Sequence, residues 1–294
     1  MRVGAHVPMV GGIMHALEYA IETECESFQI FSKNPRQWAA KPLDPHECAR
    51  FRAELGDSGI GTFFCHASYL INAGAEDPLL WERSTAGLAD ELVRAGMIGA
   101  SGVVLHLGRR YSDDDEECIA RVADCLERAA DLAGGESPPL LLENSAGAGR
   151  QFGVSTGEML SALLSARARG IVVGLCIDTC HALAGGIDLR GEEGWRGLVD
   201  AIIPVAGEGT IALIHANDSK GDLGSHKDRH EWIGDGRLGD EAFRAMFAVP
   251  ELSGASAVVE MPGDPPEKDL VNVRRLKLLR ACAEAPADRG RGRA

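Results

Sequence analysis

Eight short apolar runs, rich in β-branched residues, recur along the chain and begin near Val3, Phe28, Thr62, Val103, Leu140, Val173, Ile211 and Val258. Continuous runs of this kind suit parallel strands buried on both faces. Longer amphipathic segments lie between them, among them residues 13–25, 79–97, 116–132, 158–169 and 270–283. In one of these, Ile119, Val122, Ala123, Leu126, Ala129 and Ala130 form a single apolar helical face. Acids at positions 113–117 precede it and suit the positive end of a helix dipole. Strand and helix alternating eight times over 294 residues match a single (β/α)8 TIM barrel. A doubly wound open sheet is the competing architecture. Eight strand candidates are a full barrel's complement, and no G-x-G-x-x-G follows the first run. Residues 1–285 are therefore expected to form one barrel domain with its active site at the C-terminal face of the strands. Residues 286–294, with arginines between glycines, are expected to be an unstructured tail. The stretch 217–240 is too long for an ordinary connection, and such loops are usually functional or disordered.

Charge narrows the classes of partner. Acidic side chains number 44 and basic ones 30, for a formal net charge of −14. Such a surface repels phosphate backbones on average and argues against a general nucleic-acid coating protein, though not against a local site. The eight cysteines form no C-x-x-C pair, and several sit inside apolar runs. They read as buried free thiols in a reducing cytoplasm. No signal-like start and no membrane-spanning apolar run is visible.

The chemistry lies in how the runs end. They end in Ala5-His6, Phe31-Ser32-Lys33-Asn34, Cys65-His66, Leu105-His106, Leu142-Glu143-Asn144, Asp178-Thr179-Cys180-His181, His215-Ala216-Asn217-Asp218 and Val259-Glu260. In a parallel barrel these ends share one face. Any one of them alone reads better as a hydrogen-bonded or exposed residue than as a ligand. Gathered together, imidazoles and carboxylates are costly to desolvate unless paired or metal-bound. The long seventh loop adds Asp228-Arg229-His230, in which Asp228 and His230 point to the same side of an extended segment. Asp178 and His181, three apart, could serve neighbouring ions. Five histidines and four carboxylates exceed one tetrahedral site. The mixture suits Zn²⁺, with Mn²⁺ or Fe²⁺ as alternatives. Trp81, Trp195 and Trp232 read as packing anchors, His15 and His46 as surface residues, and Cys176 and Cys180 as small filler around Asp178.

The ordered set of motifs resembles the endonuclease IV family of apurinic/apyrimidinic endonucleases. The matching strings are Gly4-Ala5-His6-Val7 with Gly11-Gly12, residues 28–38 (FQIFSKNPRQW), 66–72 (HASYLIN), 104–108 (VLHLG), 142–147 (LENSAG), 176–182 (CIDTCHA), 215–221 (HANDSKG), 227–231 (KDRHE) and 259–263 (VEMPG). The resemblance implies a hydrolase of base excision repair that binds three divalent ions per chain, usually zinc. It would cut the phosphodiester 5′ to abasic sites in double-stranded DNA, leaving a 3′-hydroxyl and a 5′-deoxyribose phosphate, and would also trim blocked 3′ ends. Carried over by residue, His66, His106 and Glu143 would hold one ion. Glu143 would bridge to a second, held also by Asp178, His215 and Glu260. His181, Asp228 and His230 would hold the third. Glu143, Asp178 and Glu260 are expected to take part in catalysis as well as ligation. Arg36 and Tyr69 match the residues that such proteins insert into the damaged duplex. Ala67, Pro35, Trp232 and the segment Gly234-Asp235-Gly236 depart from the pattern and bear on substrate preference.

Phosphodiester cleavage needs a nucleophile at neutral pH and neutralised charge on the phosphoryl group, both of which paired metals provide. Three divalent ions would bring the formal charge to about −8. Lys33, Arg36, Lys220 and Lys227 stand beside strand-end motifs as phosphate contacts, so a positive bowl on a negative body is expected. The protein is expected to act as a monomer, without a membrane. A sugar isomerase or epimerase on the same barrel is the alternative, since Glu143, Asp178, His215 and Glu260 match its single-metal set. That reading leaves His66, His106, His181, Asp228 and His230 unexplained. A non-catalytic, metal-dependent binder of damaged DNA is a further alternative, and the complete ligand set argues against it.

Overall fold

The structure, a computed structural model, describes residues 1–135, 137–262 and 267–285. The strands in chain order are β1 (Arg2–His6), β2 (Ser27–Phe31), β3 (Thr62–His66), β4 (Val103–His106), β5 (Leu140–Glu143), β6 (Val173–Asp178), β7 (Ile211–His215), β8 (Asp218–Ser219), β9 (His230–Glu231) and β10 (Ser256–Val259). β1 to β7 and β10 pair in parallel, and β10 joins β7 to β1, so the sheet closes into the expected eight-stranded barrel. Every expected strand is present, beginning within two residues of the apolar runs. β8 and β9 form a separate antiparallel hairpin inside the long seventh connection. The tail at 286–294 lies outside the described residues.

The outer ring comprises α1 (Ile13–Glu22), α2 (Pro45–Asp57), α3 (Pro78–Ile98), α4 (Asp115–Ala133), α5 (Thr156–Ala168), α6 (Thr179–Gly185), α7 (Glu192–Ala206), α8 (Gly239–Ala248) and α9 (Lys268–Glu284). Local chemistry sets their ends. Asp77 caps α3 ahead of Pro78, Asp114 accepts from the amides of Glu116 and Glu117, and Ser155 with Glu158 forms a reciprocal capping box on α5. Among the described residues no helix is long and apolar enough to cross a membrane.

Strand side chains divide by alternation. Val3, Ala5, Phe28, Ile30, Phe63, Val103, Leu105, Leu140, Leu142, Leu175, Ile177 and Ile214 join the helices in the large outer core. Phe64, Val104, Leu141, Cys176, Leu213 and Val258 form a second cluster of their own, the apolar plug inside the barrel. Beneath the plug, Thr62 Oγ1 lies 3.0 Å from the hydroxyls of both Ser27 and Ser256. Seven of the eight cysteines are buried free thiols, and Cys282 is exposed. Arg280 ties α9 to the start of the barrel by donating to both oxygens of Glu26, at 2.6 and 2.8 Å.

Gly4 allows β1 to approach β2. A Cβ at this position would stand 1.5 Å from the carbonyl oxygen of Ser27. That atom is backbone, so relief requires moving a strand. Gly4→Ala is expected to destabilise the protein by at least about 1–3 kcal/mol, read from denaturant unfolding. An unchanged midpoint would show that the two strands have slack.

Candidate metal centre

The plug places the site. His66, His106, Glu143, Asp178, His215 and Glu260 each lie two residues beyond a plug residue, namely Phe64, Val104, Leu141, Cys176, Leu213 and Val258. Successive side chains of a strand alternate in direction, so two residues on, the chain returns to the interior face. Six polar groups from six strands therefore stand directly above the apolar layer.

Glu143, fully buried, is the centre of this group. Its Oε2 faces His66 Nε2 at 3.2 Å and His106 Nδ1 at 3.4 Å. Its Oε1 faces His215 Nδ1 at 3.0 Å and His181 Nδ1 at 3.3 Å. Glu260 Oε2 lies 3.5 Å, and Asp178 Oδ2 3.9 Å, from His215 Nδ1. Asp178 also caps α6, accepting from the amide of His181 at 2.7 Å, which sets His181 in the first helical turn beside it.

The remaining pair comes from the hairpin loop. Asp228 lies 3.3 Å from His181 Nε2 and 3.2 Å from His230 Nε2. The fully buried carboxylate of Asp218 fixes this segment, accepting from the amides of Ser219, Gly234, Gly236, Leu238 and Gly239 at 2.7 to 3.1 Å. A side chain at Gly236 would strike that carboxylate. The Gly234-Asp235-Gly236 segment thus wraps an internal anchor.

Four groups of donor atoms lie close enough to share an ion: His66, His106 and Glu143; Glu143, Asp178, His215 and Glu260; Asp178, His181 and His230; and Cys180, Asp228 and His230. The first two coincide with sets expected from the sequence. In place of the third, His181 and His230 are grouped with Asp178, while Asp228 touches both imidazoles from the rim. The His106 Nδ1 and His230 Nε2 atoms are buried and lack a hydrogen-bond partner. Unpartnered ring nitrogens beside carboxylate oxygens fit a divalent cation of the zinc type.

Burial pushes Glu143 towards protonation, but His106, His215 and His181 outweigh it and hold the carboxyl well below its usual range. For Asp178 burial wins, and its pKa is raised. Burial takes His106 down to about 4. His181 is raised well above the ordinary imidazole value, because Asp178, Asp228 and Glu143 overcome burial. His230, opposed by burial but facing the Asp228 carboxylate at 3.2 Å, is raised to about 9.

The expected DNA contacts divide. Arg36 is exposed on the loop after β2, and Tyr69 is 57% exposed on the loop after β3. The ring of Tyr69 meets Phe31 edge-on at 5.2 Å. Lys220 and Lys227 are exposed on the hairpin loop, with Lys220 3.6 Å from Glu231. Lys33 is a correction. Its side chain is 2% exposed, and its ammonium pairs with Asp90 at 2.5 Å and Glu91 at 3.5 Å. A strand-end lysine followed by an acid-bearing helix turned inward, which removes it from the phosphate contacts. Glu91 also accepts from the Ser32 hydroxyl at 2.6 Å and the Ser68 amide at 3.2 Å, while the Ser68 hydroxyl donates to Pro35 O at 2.7 Å. The loops after β2 and β3 are thereby joined. A cleft of about 530 Å³ runs from His106 and Asp228 past Tyr69 to Asn72, Arg109 and Gln151.

Asn144, Asn217 and Gln29 stand beside the expected site residues and were not among them. Asn144 bonds the backbone of Asp178 through both ends of its amide, at 2.7 and 3.0 Å. Asn217 donates to Asp178 Oδ2 at 2.6 Å and accepts from the amide of Glu260 at 2.7 Å. Their signal was adjacency to a strand-end acid or imidazole. For Gln29 it was a polar residue within the apolar run of β2.

In metal-free protein at neutral pH, His181, His215 and His230 are held in the protonated form, each raised above its ordinary value against burial. A metal requires the neutral ring. Zinc uptake is therefore expected to release protons, and affinity to rise with pH from neutrality through His230's value of about 9. Titration calorimetry in buffers of different ionisation enthalpy checks this. Uptake without proton release would refute the charge distribution described.

A family model described as a xylose isomerase-like TIM barrel matches residues 17–282. A probable endonuclease 4 of Methanoculleus marisnigri is 39% identical over 277 residues, 94% of this chain and 98% of that protein. A probable endonuclease 4 of Streptomyces avermitilis is 38% identical over 281 residues, 95% of this chain and 90% of that one. The crystal structure of endonuclease IV from Thermus thermophilus superposes with a TM-score of 0.84 at 36% identity, covering 95% of this chain and 98% of that chain. An L-ribulose 3-epimerase, 16% identical with a TM-score of 0.67, shares the fold. Identity of this order over nearly the full length of both partners, on a common barrel, places the chain in the endonuclease 4 family.

Proposed function

We propose that this protein is a metal-dependent DNA repair endonuclease that hydrolyses the phosphodiester 5′ to an abasic site, leaving a 3′-hydroxyl and a 5′-deoxyribose phosphate, and that also trims blocked 3′ ends. The observation that carries the reading is the convergence of eight imidazole and carboxylate side chains around one buried Glu143, in a member of the endonuclease 4 family.

His66, His106 and Glu143 would hold one ion, and Glu143, Asp178, His215 and Glu260 a second. His181, Asp228 and His230 would hold the third, with Asp178 within reach of it. Divalent ions in such a set lower the pKa of water towards neutrality and neutralise phosphoryl charge. The chain's own residues then have three tasks. Glu143, with an imidazole on each side of each oxygen, keeps neighbouring ligand sets at a fixed spacing. Arg36 and Tyr69 fill the space left when a poorly stacked abasic nucleotide turns out of the helix. Lys220 and Lys227 meet backbone phosphates at the rim.

A second reading is favoured by one feature. Glu143, Asp178, His215 and Glu260 form a complete group by themselves, as a single-metal sugar isomerase or epimerase requires. Metal content separates the two: near three ions per chain supports the nuclease, near one the isomerase.

His66→Ala, Glu143→Ala and Asp178→Ala are expected to lose metal and abasic-duplex cleavage by more than the roughly 10- to 100-fold typical of residues that merely hydrogen-bond to ligands. Circular dichroism should remain that of the folded barrel. Full turnover by any of these metal-replete variants would remove that residue from the site.

Arg36→Ala and Tyr69→Ala are expected to leave metal content unchanged while weakening binding to an abasic duplex more than to its intact counterpart. A lost stacking contact of about 1–3 kcal/mol corresponds to roughly 5- to 150-fold in affinity. Equal losses on both duplexes would mean that the two residues are rim contacts without a role in recognising damage.

A further inference from the structure

Gln29 stands at the middle of β2, fully buried, between Phe28 and Ile30. Its amide touches three other polar side chains. Nε2 lies 2.9 Å from Glu260 Oε1 and 2.7 Å from His6 Nδ1, and Oε1 lies 2.9 Å from His215 Nε2. Carbonyl oxygen and amide nitrogen are exchanged by a half-turn of the group, so chemistry must decide which is which. A half-turn would set the carbonyl oxygen against a carboxylate oxygen of Glu260 with no hydrogen between them. The NH2 group therefore faces Glu260 and His6 and donates one hydrogen to each. The carbonyl oxygen faces His215, whose Nε2 must carry a hydrogen to complete the contact.

This assignment fixes the opposite side of the His215 ring. With hydrogen on Nε2, the lone pair of the neutral ring lies on Nδ1. That atom points at Glu143 Oε1, 3.0 Å away, and at Glu260 Oε2, 3.5 Å away. The same amide thus holds one oxygen of Glu260 from behind and leaves its other oxygen beside His215 Nδ1.

We infer that Gln29 is a positioning residue: one buried amide sets the tautomer and ring orientation of His215 and the rotation of the Glu260 carboxylate, so that Nδ1 and Oε2 present together to a divalent cation. The inference rests on the proposed assignment of His215 and Glu260 as ligands. Groups that hydrogen-bond to metal-binding imidazoles tune affinity in this way. Gln29 differs from a purely structural core residue in acting on two ligands of one ion at once.

Two variants and one direct measurement test it. Gln29→Met keeps the approximate volume and loses the amide. Gln29→Glu keeps an acceptor for His215 but opposes Glu260 with a second carboxylate. Chelator competition on folded, zinc-loaded protein should show affinity reduced by roughly 10- to 100-fold in each, with unfolding curves as the folding control. Nitrogen-15 spectra of the zinc-loaded parent should show hydrogen on Nε2 of His215, the signal being identified by its loss in His215→Asn. Unchanged zinc affinity in both variants, or hydrogen on Nδ1 in the parent, would overturn the inference. Should both variants fail to fold, the spectrum of the parent still decides. A His215→Ala protein that retains every zinc ion would instead overturn the ligand assignment, which separates the two failures.

Discussion

The two-residue period of the β-strand, imposed on a closed ring of parallel strands, is the constraint on which the rest of this structure depends. Once Phe64, Val104, Leu141, Cys176, Leu213 and Val258 fill the barrel, the next interior position on each strand lies above an apolar floor. Whatever occupies it meets its counterparts from the other strands. Residues far apart in the chain become neighbours without any loop having to bring them together. The outer positions of the same strands remain free to pack against helices, so the site and the core are built by alternate residues of the same segments.

Polar groups above that floor have little water to stabilise them, and they stabilise one another. Glu143 is ringed by four imidazoles, Asp178 is bonded by Asn144, Asn217 and the turn of α6, and Glu260 by Gln29 and Asn217. Without metal the balance of charge is kept by protons on the imidazoles. The site is thereby compatible with folding before any cation arrives. Apposed carboxylates alone would repel one another, and the interleaved histidines remove that penalty.

The barrel and the location of its polar face were legible because period and length leave few alternatives. All eight strands fall where apolar runs begin, and helices with a clear apolar stripe, such as α3 and α4, match the expected segments closely. The expected segments leave out α2, α6, α7 and α8, although Asp44-Pro45 and the acids at 192–193 mark the starts of α2 and α7. The long seventh connection read as irregular; its order comes from Asp218, whose five amide partners lie up to 21 residues away. Lys33 departs from expectation for the same reason. A lysine at a strand end is a surface charge until Asp90 and Glu91, on a helix far along the chain, are placed beside it. Strand periodicity can be read locally, whereas the partner of a buried charge is a property of the assembled fold.

The tie through Glu91 has a consequence for how this surface can change. The loops after β2 and β3 reach the rim independently in sequence, yet Ser32, Ser68 and Pro35 are joined behind them by one carboxylate and one hydroxyl. The loop bearing Arg36 and the loop bearing Tyr69 therefore form one mechanical unit whose anchor lies on α3, outside both. A transplant of either loop into another barrel would arrive without its alignment unless the helix residue travelled with it. Divergence at this rim is correspondingly constrained to proceed by exchange of all three segments, or by substitution at the exposed tips while the tie beneath is kept.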